Sequence, residues 1–273
     1  MPVAWTRLIR FVSTDGRTLY GEPIMPSEDF DLGNTSEATK LQARVIQGND
    51  LYDTTGATKV TDEVVAVKEL LGPLAQSDVD ILRCVGLNYA KHSKPPPPTC
   101  PPTPVSDKLA NQRTVKETGR TPPPYPFIFF KPTTAIHDHG KDVVIPKIAQ
   151  DDQADYEGEL CLVLGKDAKD APVETALEYV AAYTCGNDVA ARTLQRDPTL
   201  AGGVPQWGFS KGFDTFAPLG PCLVRSDLVG DPKKLLLRTV VDGEVRQEEM
   251  VSDLMFDCAY LISYLSSGTT LRK

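Results

Sequence analysis

Two glutamates, Glu157 and Glu159, stand one residue apart at the mouth of the apolar run "ELCLVLG". Residues two apart in a strand share a face, so both carboxylates project together, their Cα atoms about 6.5 to 7 Å apart by strand rise. That face turns apolar at once, at Cys161 and Val163. Carboxylates held this close and partly desolvated repel, so one takes a proton or a cation sits between them. The alternative is an exposed strand end carrying two solvated glutamates. Gly158, on the opposite face, permits close backbone approach.

A second apolar segment supplies a third acid. "YVAAYTCGNDVAARTLQ" (179 to 195) climbs out of a buried stretch onto Asn187-Asp188, again a carboxylate at the end of an apolar strand. Two Glu and one Asp make a facial, all-oxygen set with room for waters, the hard-ligand pattern of Mg²⁺ or Mn²⁺. In "GFSKGFDTFAPLGPCLV" (208 to 224), Lys211 lies among aromatics and glycines, an apolar setting for a lysine. Near a metal it would anchor a substrate carboxylate or enolate; the alternative is a lysine snorkelling to solvent.

Composition narrows the function classes. The 273-residue chain is 41% hydrophobic and 24% charged, the balance of a globular protein with a sizeable core. A net charge of −8 argues against nucleic acid as a partner, because phosphate binding needs clustered Lys and Arg. No apolar window reaches the ~18 residues of a membrane span, and the N-terminus lacks a signal peptide's pattern. The six cysteines are scattered with no C-x-x-C pair, so neither zinc spacing nor a disulfide framework is read from them. The expectation is a reduced, intracellular protein, cytoplasmic, with the mitochondrial matrix as the other compartment.

Strand signals dominate the chain. "TRLIRFVSTDGRTLYGEPI" alternates around Asp15-Gly16 and predicts a hairpin. "ARVIQGNDLYDTTGATKVTDEV" continues that texture, so residues 1–75 are expected to form a small β-rich N-terminal lobe and 76–273 a catalytic domain. Further strands are expected at Ile81 to Val85, in "FIFFKPTTAI", "DVVIP", "ELCLVLG" and "PLGPCLV", and in "TVVDGEVRQ", turning at Asp242-Gly243. Residues 93–126 are proline-rich, which blocks helix and sheet pairing; they are read as a surface insertion, disordered or serving as a mobile lid. Helical spacing marks 171 to 182 and 252 to 268, the latter with Ser252 as N-cap and Gly268 at the C-terminal end.

In order along the chain, "CVGLNYAKH", "PFIFFKPTTAI", "DYEGELCLVLGK", "YTCGNDVAARTLQ", "QWGFSKGFDTFAPLGPCLV", "VDGEVRQ" and "SDLMFDCAYLISYLSSGTTL" resemble the fumarylacetoacetate hydrolase superfamily, most closely its smaller acylpyruvate hydrolase, oxaloacetate decarboxylase and tautomerase members. The resemblance implies an α+β, strand-dominated fold: a twisted mixed β-sandwich or roll, usually homodimeric, holding a divalent metal, Mg²⁺ or Mn²⁺. Carried over by position, it implies Glu157, Glu159 and Asp188 as metal carboxylates, Lys211 beside the metal, and Gln195 touching substrate. It also implies His92 as the base of a lid, with Arg192 and Lys131 at recurrent polar positions.

Two departures stand out. Where many members read His-x-x-Glu in the lid, this chain reads "HSKP", with Pro95 in the glutamate's place. Members also continue past the "GTTL" position with a strand that closes the cavity, whereas this sequence stops at "GTTLRK": either the gene is truncated or the sequence omits a tail, and a missing wall would enlarge or expose the site. The function implied is metal-dependent C–C cleavage of a small 2-oxo or β-diketo acid, by hydrolysis or decarboxylation through a stabilised enolate. The alternatives are a tautomerase or isomerase on the same site, and a non-catalytic relative.

Overall fold

The structure, a computed structural model, describes residues 2–89 and 123–273. His92 and nearly all of the proline-rich insertion lie outside the described residues.

Strands β1 (Arg7–Ser13) and β2 (Thr18–Ile24) form the hairpin that Asp15-Gly16 predicts. Gly16 holds a φ of 88°, a left-handed turn that a residue with a Cβ resists. β3 (Gln42–Gln47) pairs β2, β4 (Lys59–Leu70) pairs β3, and β4 returns to β1, so four antiparallel strands close on themselves. Ile9, Phe11, Leu41, Ala43 and Val65 fill the interior. Each large side chain there contributes about 1.5–3 kcal/mol by leaving water.

This ring is tied to the rest of the molecule through β1. Its first residues pair with β12 (Ala217–Arg225), Arg7 opposite Val224 and Leu8 opposite Leu223. The sheet then continues through β10 (Val180–Asn187) to β9 (Gly158–Leu164). Trp5, fully buried, packs with Leu8, Leu74, Ala182 and Leu223 across that junction and donates its indole N–H to the Leu51 carbonyl at 2.8 Å.

Smaller pieces frame the end of the sheet. β5 (Leu82–Gly86) pairs antiparallel with β6 (Phe127–Lys131), and β7 (Ile136–His137) runs parallel to β12. β8 (Ala154–Asp155) pairs β11 (Ala190–Ala191), and β13 (Leu236–Val241) turns at Asp242-Gly243 into β14 (Glu244–Met250). The α-helices of the described residues are short: α1 (Arg192–Arg196), α2 (Pro198–Ala201), α3 (Trp207–Lys211), α4 (Ser226–Val229) and α5 (Cys258–Ser266). The strand-dominated α+β class stands as expected. No helix of the described residues is long and apolar enough to cross a membrane.

Three local expectations change. The helix expected over 171 to 182 is a 3₁₀ segment, Val173–Tyr179, that gives way to β10 at Val180. Val180 pairs there with Leu164, and sheet pairing overrides the helical spacing. Ser252 does not cap the C-terminal helix; it lies in a 3₁₀ turn, and α5 begins after Asp257, whose carboxylate accepts from Tyr260 N at 2.9 Å. Gly268, with φ 79°, does occupy the position after the C-cap. "DVVIP" is not a strand. It finds no ladder partner; Val144 is 63% exposed, and its N–H goes to the Thr215 hydroxyl at 2.9 Å.

Candidate active site

The register of β9 against β10 brings the acids together. Glu159 stands opposite Gly186 and Gly158 opposite Asn187, so Glu157 and Asp188 leave the paired strands side by side. Two bonds fix that crossing: Asp188 N donates to Glu157 O at 2.8 Å, and Glu157 N donates to the Asn187 side-chain oxygen at 3.1 Å. Beneath lies an apolar floor of Ala149, Val189, Ala191, Leu194 and Phe216.

Lys211, fully buried at the end of α3, places its ammonium between two of the acids, 2.5 Å from Glu157 Oε2 and 2.7 Å from Asp188 Oδ2. Phe129 and Trp207 present ring faces to the same ammonium at 5.3 and 5.6 Å. The snorkelling alternative for this lysine is excluded by its burial. Lys131, buried at the end of β6, reaches Asp188 Oδ1 at 2.6 Å and donates to the carbonyls of Val189 and Phe216. Burial lowers its pKa, against the pull of Asp188.

Arg192, at the start of α1, spreads its guanidinium over three partners. Nε donates to Asp155 Oδ2 at 2.8 Å, Nη1 to Gln195 Oε1 at 3.2 Å, and Nη2 to Glu157 Oε1. Gln195 is completely buried, and its Nε2 has no hydrogen-bond partner among the described residues. Asp155, which holds the guanidinium from behind, is a residue that sequence reasoning missed. It lies two positions before Glu157 in "DYEGEL", and that shared face was the available signal.

Charge distributes unevenly over this cluster. Burial alone would raise the Glu157 carboxyl, but Lys211 and Arg192 hold it well below its ordinary value. Glu159 goes the other way, pushed up to about 8 by burial first and then by Glu157 and Asp188, with Lys211 only partly offsetting them. The reason is visible in the partners: Lys131, Lys211 and Arg192 are engaged with Asp155, Glu157 and Asp188, and none reaches Glu159. Glu159 is the surplus acid.

A cavity of about 490 Å³ opens in front of Glu159 and Asp188. Lys131, Cys84, Tyr89 and Thr184 contribute to its polar end, and Leu82, Leu162, Leu261 and Ile262 to its apolar walls. Burial foremost drives the Cys84 thiol up to about 12.

The donor set suits a hard divalent cation in its chemistry, because it is all carboxylate and one member lacks a counter-charge. Among the described residues, however, no three His, Cys, Asp or Glu side chains already close on a common point, since Lys211 stands between Glu157 and Asp188.

Comparison with known proteins shows the family. Residues 82–273 match the family model for the fumarylacetoacetate (FAA) hydrolase C-terminal domain. A caffeoylpyruvate hydrolase of Neonothopanus nambi is 31% identical over 271 residues, covering 98% of this chain and 78% of the relative. The mitochondrial oxaloacetate tautomerase FAHD1 of Arabidopsis thaliana is 38% identical over 188 residues, 69% of this chain and 72% of the relative. An uncharacterised Archaeoglobus fulgidus protein is 39% identical over 188 residues, and the chain spans 62% of its length. Among solved structures, a 2-hydroxyhepta-2,4-diene-1,7-dioate isomerase of Mycobacterium marinum superposes with a TM-score of 0.65 at 30% identity, over 98% of this chain and 83% of that one. The chain belongs to the fumarylacetoacetate hydrolase family. Its named relatives are a hydrolase, tautomerases and isomerases.

Proposed function

We propose that the protein is a divalent-metal-dependent enzyme that cleaves a C–C bond in a small 2-oxo or β-diketo acid, by hydrolysis of an acylpyruvate or decarboxylation of an oxaloacetate-like substrate. The observation that carries this reading is Glu159, a half-buried surplus carboxylate beside two others and a buried lysine. Glu157, Glu159 and Asp188 would hold Mg²⁺ or Mn²⁺, which supplies Lewis-acid polarisation of the substrate's keto oxygen when bound.

The chain's own residues account for the rest. Lys131, Lys211 and Arg192 balance Asp155, Glu157 and Asp188, so a divalent cation held with Glu159 would leave the cluster net positive and favour an anionic substrate at the polar end of the cavity. As the C–C bond breaks, its electron pair moves onto the pyruvate fragment as an enolate, and the Lys211 ammonium is the preorganised donor for that oxygen. The free Nε2 of Gln195 supplies a further donor for substrate, and Arg192 holds both Gln195 and Glu157 in place. Lys131 braces Asp188 from its far oxygen. In hydrolysis, His92 is assigned the proton of the attacking water, and the enolate carbon takes a proton afterwards. The reading is completed by a homodimer in the cytoplasm or mitochondrial matrix.

A second reading, a tautomerase on the same site, is favoured by one observation. The groups that stabilise an enolate are assembled in the described residues, whereas bond cleavage by hydrolysis also calls on His92. The test is a panel of acylpyruvates and oxaloacetate with the Mg²⁺-loaded protein, following enol loss and pyruvate release separately. Pyruvate release supports cleavage, enol loss without pyruvate supports the tautomerase, and neither change removes both readings.

A further inference from the structure

Gly158 lies between the two glutamates, and its backbone is the hinge that sets how they point relative to each other. Both of its polar groups turn away from β10 and meet a single side chain. Gln247 of β14 accepts from Gly158 N through Oε1 at 3.2 Å and donates from Nε2 to Gly158 O at 3.0 Å. One amide side chain thus does what a neighbouring antiparallel strand would do, pairing the N–H and C=O of one residue. Thr239, directly opposite Gln247 in the β13–β14 pair, donates its hydroxyl to Oε1 at 3.0 Å. The Gly158 N–H and C=O fix which end of the amide faces which, since a flipped amide would set N–H against N–H, and the Thr239 hydroxyl braces the oxygen end with a third bond.

The fit leaves no room for any other residue at 158. A Cβ there would stand 2.1 Å from Thr239 Oγ1 and 3.4 Å from Gln247 Oε1. Glycine is therefore required for the hairpin to seat, yet glycine is also the loosest backbone a site could place between two ligands. The amide clamp removes that looseness. It comes from 89 residues away in sequence and touches neither carboxylate.

We infer that Gln247, braced by Thr239, is a positioning residue that sets the spacing and common aim of Glu157 and Glu159. The inference rests on the assignment of those two glutamates as metal ligands. It adds to that assignment the element that holds them in register: the β13–β14 hairpin acts on the site through the Gly158 peptide.

The test compares wild type, Gln247→Ala and Thr239→Ala with Val245→Ala, an exposed position on the same hairpin. Three readouts apply: Mn²⁺ affinity by titration, amide exchange at Gly158 in the metal-free protein, and thermal midpoint. Gln247→Ala should weaken Mn²⁺ tenfold or more, in the range of residues that orient metal ligands, and should deprotect the Gly158 amide. Thr239→Ala should do both to a smaller degree, and serves alone if Gln247→Ala does not fold. Val245→Ala should change neither. Wild-type affinity and wild-type exchange in Gln247→Ala would overturn the inference, as would affinity losses that track the thermal midpoint equally in Val245→Ala. If wild type itself binds no Mn²⁺, the metal assignment fails, while exchange at Gly158 still decides whether Gln247 holds the hinge.

Discussion

Lys211 and Asp188, 23 residues apart in sequence, form a buried ion pair with Nζ 2.7 Å from Oδ2. The same ammonium holds Glu157, so one lysine bridges two acids at the rim of the sheet. Removing one partner of such a cluster strands the others in a poor solvent for charge.

Lys211→Met should therefore lower the stability of the metal-free protein by about 3 kcal/mol, the scale of breaking a buried pair. Urea denaturation in chelator measures it, and added Mg²⁺ should restore part of the loss by supplying another cation. Turnover should fall at least a hundredfold, because the enolate loses its donor. A variant as stable and as active as wild type would contradict the placement.

Arg192→Lys keeps the charge and loses the fork. Lysine cannot bridge Asp155, Gln195 and Glu157 together, as the guanidinium does. Steady-state kinetics should show kcat reduced by tenfold or more, with a smaller change in KM. An unchanged kcat would mean that this bridge positions nothing the reaction uses.

Glu159 makes stability depend on pH in the direction opposite to an ordinary salt-bridged acid. Its carboxyl lies near 8 in the metal-free fold against an ordinary value of 4.5. Between these limits the native protein keeps a proton that the unfolded chain has lost, so stability falls as pH rises. In chelator, the thermal midpoint should drop from pH 5 to pH 8.5, and Glu159→Gln should flatten that slope. A cation that binds at pH 7 should displace the proton, so calorimetry in buffers of different ionisation enthalpy should record release of about one proton.

Burial holds the Cys84 thiol up to about 12; it also raises the Cys185 thiol, but that side chain is exposed on β10. Iodoacetamide at pH 8 should label Cys185 well before Cys84, and Cys84 should react at an ordinary rate only after unfolding. Peptide mass spectrometry gives the order directly. Early labelling of Cys84 would show that the cavity wall opens.

The two acidic strand ends were legible because alternation is a local property: period two places Glu157 with Glu159, and an apolar run ending at Asn187 places Asp188 at a rim. The hairpins at Asp15-Gly16 and Asp242-Gly243 were legible for the same reason. The clamp on Gly158 was not, because Gln247 reads as one more polar residue in an exposed hairpin until the fold brings it across 89 residues. Lys131 offered no clue to its bracing of Asp188, a contact that forms only when β6 and the end of β10 meet. Ser252 satisfies a helix-capping pattern, but the 3₁₀ turn at Val251–Asp253 takes it up and Asp257 caps α5 instead. The strand at Val180 shows how a sheet partner, Leu164, outweighs good helical spacing.

The central claim is that Glu157, Glu159 and Asp188 share one divalent cation. Manganese titration followed by paramagnetic resonance tests it most directly, on wild type and on Glu159→Ala. The account predicts one Mn²⁺ per chain in wild type and at least a hundredfold weaker binding in Glu159→Ala. Equal binding by the two proteins, or none by either, would contradict it.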